Sequence, residues 1–139
     1  MVQITEAVRP DRIVHLGDHL SDGETLRCAY PDLPFVGVPG NCDGWTSAPE
    51  ERLITLEGRR LLLGHGHHWG VKLSPAGAAR AGRMAGAELV LFGHTHRPLL
   101  RREEDGLWLL NPGSVRDGGR YALLELEQGR EPVCRLCAL

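Results

Sequence analysis

Leu89-Val90-Leu91-Phe92-Gly93-His94-Thr95-His96 is an apolar run that breaks at a glycine into a polar tip carrying two imidazoles. The same pattern recurs along the chain. Residues 13–16 lead into Gly17-Asp18-His19, and residues 35–38 into Gly40-Asn41-Cys42-Asp43. Residues 61–63 lead into Gly64-His65-Gly66-His67-His68, and residues 107–110 into Asn111-Pro112-Gly113-Ser114. Short apolar stretches bounded by glycine read as buried strands of an α/β sheet. Open sheets of that kind bind ligands beyond their strand ends. The tips would therefore bring Asp, Asn and His side chains together, the donor set of a metal site with nitrogen and oxygen ligands.

The chain has 139 residues and 42% hydrophobic content, which fits a single domain over residues 1–139. With few aromatics, Leu, Val and Ala must fill most of the core. A net charge of −2 argues against a membrane surface or tightly bound nucleic acid as a partner. Among 16 basic residues only Lys72 is lysine, which reads as coding bias. No apolar run reaches the roughly 20 residues that cross a bilayer, and the start shows no secretory h-region, so a cytoplasmic location is expected. Cys28, Cys42, Cys134 and Cys137 do not form a disulfide pattern. Cys134-x-x-Cys137 lacks a second pair and reads as strand packing rather than half of a zinc site.

Residues 3–9 read as the end of a helix stopped by Pro10, followed by a strand at 12–16. Ser21-Asp22-Gly23-Glu24 matches a capping box and predicts a short helix to Tyr30. Residues 51–57 and 60–63 read as strands joined at Glu57-Gly58-Arg59. Ser74 and Pro75 predict the N-cap and first position of a helix reaching Gly86. Its three glycines each lower helix propensity by about 1 kcal/mol. Strands are expected at 88–92, 99–102, 107–110, 120–126 and 132–136.

In an extended segment, residues i and i+2 share a side. His94 and His96 are thus expected to face one cavity with Thr95 turned away, and His65 and His67 share the spacing. Asp18 and the Asn41 carbonyl add harder oxygen donors. His15, His19 and His68 read as surface or supporting residues. Trp45 and Trp69 read as local packing, and Arg97 and Arg116 as solvated cations.

The ordered motifs Gly17-Asp18, Gly40-Asn41-Cys42-Asp43, Gly64-His65-Gly66-His67 and Gly93-His94-Thr95-His96 resemble those of the calcineurin-like metallophosphoesterases. The closest branch is that of the small prokaryotic YfcE-like phosphodiesterases, which share the Cys42 variant of the Asn motif. Asn111-Pro112-Gly113-Ser114 fits the same branch. The resemblance implies a four-layer α/β sandwich, two mixed sheets flanked by helices. It also implies two divalent ions bridged by Asp18, manganese foremost, with zinc, nickel or iron as alternatives. One ion would take Asp18, Asn41, His65 and His94. The other would take Asp18 and His96 together with an Asp-x-His motif on the family's first strand. No Asp-x-His occurs in this chain. An N-terminally truncated fold is therefore expected, holding one ion fully and open to homo-oligomer formation along an exposed sheet edge.

The implied activity is metal-dependent hydrolysis of a small phosphoester by activated water, with turnover reduced by the missing ligands. Asn41 would touch both ion and phosphate, and Asp43 would orient a neighbour. Cys42 stands where related phosphatases place a histidine acid for the leaving group. The alternative is a catalytically disabled relative that serves as a binding scaffold.

Overall fold

The computed structural model describes residues 1–44 and 47–139, so the expectation for Trp45 lies outside the described residues. Among the described residues the chain forms three α-helices, α1 (Val2–Val8), α2 (Leu20–Ala29) and α3 (Ala76–Ala85). Its strands are β1 (Ile13–His15), β2 (Phe35–Gly37), β3 (Glu51–Leu56), β4 (Arg59–Gly64), β5 (Leu89–Leu91), β6 (Leu99–Arg102), β7 (Trp108–Asn111), β8 (Arg120–Glu125) and β9 (Val133–Ala138).

Five strands make a mixed sheet in the order β3-β4-β5-β7-β6. Its parallel centre is β4, β5 and β7, and antiparallel β3 and β6 flank it. Side chains alternate across this sheet. Leu62, Val90 and Leu109 pack with Ala78 and Ala79 of α3 on one face. Leu61, Leu63, Leu89, Leu91 and Leu110 fill the other face, against Val14, Val36, Val38, Ala122 and Leu124. The second sheet layer is two separate ribbons, the parallel pair β1-β2 and the antiparallel pair β8-β9. Gly23 of α2 lies under the Phe35 ring of β2, so α2 closes that side. The result is the expected α/β sandwich: α3, the five-stranded sheet, the ribbons, then α2. No backbone ladder joins β1 to β8. A cavity of about 1650 Å³ has Val14 and Leu16 among its lining on one side, Ala122 and Leu124 on the other, and reaches Asp18 and His65.

Local signals mostly held. Arg9, in the left-handed region, ends α1 before Pro10. Glu57 and Gly58 both take positive φ in the β3–β4 hairpin, as a tight type I′ turn requires. Ser74 Oγ accepts the Ala76 N–H at 3.0 Å, although Pro75 is the capping residue. The capping box at Ser21 is not formed. Helix α2 starts two residues earlier than a Ser21 cap implies, at Leu20, after His19 in the left-handed region. The Leu20 N–H donates to Asp43 Oδ1 at 2.6 Å, so a carboxylate from a distant tip does the capping. Glu24, freed from that role, pairs with Arg27. Cys134 is half-buried among the core strands, and all four cysteines are free. Among the described residues, no helix is long and apolar enough to cross a membrane.

Candidate metal centre

The parallel strands β1, β2, β4, β5 and β7 all deliver their polar tips to one end. Val38 N–H donates to the His15 carbonyl, Gly93 N–H to His65, and Phe92 N–H to Leu110. These bonds lock neighbouring tips side by side.

His65 is the hub, with only 2% of its side chain exposed. Its Nδ1 lies 2.8 Å from the Leu16 carbonyl. A carbonyl only accepts, so Nδ1 carries the proton and donates it. In the neutral ring Nε2 is then an unprotonated lone pair. Around it lie Asn41 Oδ1 at 3.0 Å, His94 Nδ1 at 3.1 Å and Asp18 Oδ2 at 3.4 Å. Donors held about 2.1 Å from a shared ion stand roughly 3.0–3.4 Å apart. The arrangement therefore fits a cation in spacing. It also fits in charge, because a lone pair, an amide oxygen and a carboxylate facing one another repel unless a positive centre sits among them. Asp18 is held below the usual carboxylate range: burial pushes it up, but the hydrogen bond from the Cys42 N–H outweighs that. Burial pushes His94 down, with the Lys72 ammonium adding to the effect. Both groups favour the deprotonated form that ligates.

The tips are not extended. Asp18, His19, His94 and His96 all have φ between 53° and 68°. Left-handed geometry costs a non-glycine residue about 1–3 kcal/mol, although Asp and His tolerate it better than most. The strands beneath hold these turns by burying leucines worth about 1.5–3 kcal/mol each. The i, i+2 reading of His94 and His96 is thus corrected: they converge through two left-handed turns. Thr95 does face away, its Oγ1 accepting from Asn111 Nδ2 at 3.0 Å. Asn111 is fully buried and also donates to the Gly93 carbonyl while accepting the Gly113 N–H. Gly66 turns His67 out of register into a short 3₁₀ turn, so His65 and His67 are not a ligand pair.

Residues 1–129 match the calcineurin-like phosphoesterase superfamily domain. The chain belongs to this superfamily. Similar phosphoesterases include the probable metallophosphoesterase YsnB of Bacillus subtilis, 36% identical over 138 residues, 93% of this chain and 79% of that protein. Phosphodiesterase YfcE of Escherichia coli is 32% identical over 89 residues, 58% of this chain and 44% of that protein. Vps29 from Entamoeba histolytica superposes with a TM-score of 0.76 at 19% identity, covering 100% of this chain and 89% of that one. At that identity the likeness shows the fold alone. Membership of a metallophosphoesterase family implies a divalent metal and phosphoester hydrolysis.

In this chain, His96 Nε2 is 3.9 Å from Asp18 Oδ2. Its Nδ1 lies 2.5 Å from Asp117 Oδ2. Asp43 accepts both the Leu20 and the Gly40 N–H, which occupies its two oxygens. Cys42 donates its N–H to Asp18 Oδ1 at 2.9 Å, and the adjacent Asp18 carboxylate pushes its exposed thiol up. His15 Nδ1 accepts the Gly17 N–H at 3.3 Å, and burial pushes that ring down. His68 pairs with Glu50, Trp69 Nε1 donates to Glu51, and Arg116 meets Asp22. Sequence reasoning missed Asp117 and Lys72. Asp117 follows a strand end by a loop with no motif, and a lone lysine carries no spacing signal that would link Lys72 to His94.

Proposed function

We propose that residues 1–139 act as one unit, a metal-dependent phosphodiesterase acting on a small phosphoester. Asp18, Asn41, His65 and His94 would hold one divalent ion, and Asp18 and His96 would offer two donors to a second. Manganese is the first choice from the family resemblance, with its carboxylate and amide oxygen donors in keeping; the imidazoles equally suit zinc, nickel or iron. The observation that carries this reading is the meeting of three donors within 3.4 Å of the unprotonated His65 nitrogen. A divalent ion supplies a bound water whose pKa falls from about 15.7 towards 7, and neutralises charge on phosphoryl oxygens. Asn41, with its oxygen turned to His65, leaves its Nδ2 protons for a phosphoryl oxygen. Asp43 does not touch the reacting atoms in this reading; it braces the two tips that carry Asp18 and Asn41. The Cys42 thiol stays protonated beside Asp18. It is a poor substitute for an imidazolium acid, so substrates with good leaving groups are favoured.

The test is Mn²⁺-dependent hydrolysis of bis-p-nitrophenyl phosphate by the full chain, with His65→Ala and His94→Ala alongside. Activity that requires Mn²⁺ and drops at least 100-fold in both variants supports the enzyme. Mn²⁺ binding without turnover overturns it in favour of a scaffold built on the same fold.

A further inference from the structure

Beside the centre just described, a second set of donors has no assigned role. After Gly66, the turn His67–Trp69 sets the His67 and His68 rings side by side, tilted by 42° with centroids 4.0 Å apart. The chain entering β3 brings Glu50 alongside, with Oε2 2.9 Å from His68 Nε2. One donor atom from each of Glu50, His67 and His68 lies within 4.8 Å of the other two. An exposed Glu50–His68 ion pair by itself is an ordinary surface contact worth little. It leaves one observation unexplained. His67 Nδ1 is buried, and among the described residues it has no hydrogen-bond partner. Leaving a buried polar atom unpaired is costly, so one that persists calls for an occupant. Two imidazoles and a carboxylate are the protein ligands of many zinc sites, with further positions left to water.

We propose that Glu50, His67 and His68 form a second, separate divalent-metal site beside the Asp18 centre, suited to Zn²⁺ and similar borderline ions. Donors up to 4.8 Å apart need only modest rotamer adjustment to meet at coordination distances of about 2.0–2.2 Å. Glu50 and His68 are more than half exposed and free to make it. The site does not depend on the phosphodiesterase reading. It shares no ligand with Asp18, Asn41, His65 or His94. It is nevertheless close, since the His67 ring centroid is 5.4 Å from that of His65 and 6.0 Å from that of His94. An ion here would place positive charge beside the His65 and His94 rings.

Zn²⁺ is titrated into the EDTA-stripped full chain carrying His94→Ala, which weakens the Asp18 centre and leaves Glu50, His67 and His68 in place. The same titration is run with Glu50→Gln or His68→Ala added, both at exposed positions where folding is expected to survive and is checked by circular dichroism. Ring-nitrogen NMR shifts of His67 and His68 are followed in parallel. The proposal expects one Zn²⁺ per chain in the parent, both rings shifting on binding, and at least tenfold weaker binding in each added variant. Binding that stays within threefold in both, or Zn²⁺ uptake that leaves the two rings unshifted, overturns it.

Discussion

The carboxylate of Asp117 lies 2.5 Å from His96 Nδ1, and the opposite nitrogen of that ring stands 3.9 Å from Asp18. A carboxylate accepts only, so the ring proton sits on Nδ1 and the Nε2 lone pair turns towards Asp18. Carboxylates placed this way fix the orientation and tautomer of ligating histidines. Asp117→Ala is therefore expected to weaken Mn²⁺ binding by about 10–100-fold, measured by the free Mn²⁺ EPR signal. Asp117→Asn keeps an acceptor and should lose less. A downfield ring N–H resonance from His96 should vanish in Asp117→Ala. Unchanged Mn²⁺ affinity in both variants would show that His96 needs no such guide.

Acid should unfold the metal-free protein early. Burial lowers His15, His67 and His94 below their ordinary values, against nearby carboxylates at each. The unfolded chain then takes up protons first, at a pKa near 6.5. Their contribution to stability is complete above about pH 6.5 and fades as pH falls towards the lowered folded values. Asp18, also lowered, adds a loss of the same sign at more acid pH. Melting temperature in EDTA should thus fall between pH 7.5 and 5. His15→Asn, which keeps an acceptor for the Gly17 N–H, should flatten that slope; equal slopes in both proteins would refute the assignment to His15.

Helix α3 offers a test against propensity. Replacing glycine by alanine inside a helix ordinarily gains about 1 kcal/mol. A Cβ on Gly77 would lie 1.8 Å from the Trp69 carbonyl oxygen, and one on Gly82 2.3 Å from Val90. Neither backbone nor packed core yields that much, so Gly77→Ala is expected to destabilise by about 1–3 kcal/mol, in the range of overpacked sites. Urea denaturation measures it, and a rise in the midpoint would contradict the close approach.

Cys42 sits beside Asp18 with its thiol held protonated and exposed. Cys42→His would place a group titrating near neutrality there. Turnover of phosphodiesters with alkyl leaving groups should rise by 10-fold or more, within the reach of general acid catalysis. The effect on p-nitrophenyl esters should be much smaller. Equal changes for both substrate types would mean that the residue at this position does not protonate the leaving group.

What the sequence revealed was local. The apolar runs 61–63, 89–92 and 107–110, each ending in a Gly-containing polar tip, identify strands and the end at which Asp18, Asn41, His65 and His94 gather. What it concealed was long-range. The cap of α2 comes from Asp43, 23 residues away, and the Ser21–Glu24 pattern, though well formed as text, lost to it. Asp117 reaches His96 across 21 residues through a loop without periodicity. Left-handed turns at His94 and His96 brought both rings inward by a route that a strand period cannot express. The two ribbons of the second layer follow from which edges find partners, and single-strand patterns carry no record of that.

The two glycines behind the centre bear on how it can be remade. A methyl group on Gly17 would stand 2.6 Å from His65 Nδ1, and one on Gly40 2.3 Å from Asp18 Oδ1. Laboratory selection for a different ion can exchange the donor-bearing side chains one by one. It has no latitude in the wall they lean on, so acceptable solutions should cluster at Asp18, Asn41 and His94 while positions 17 and 40 stay invariant throughout.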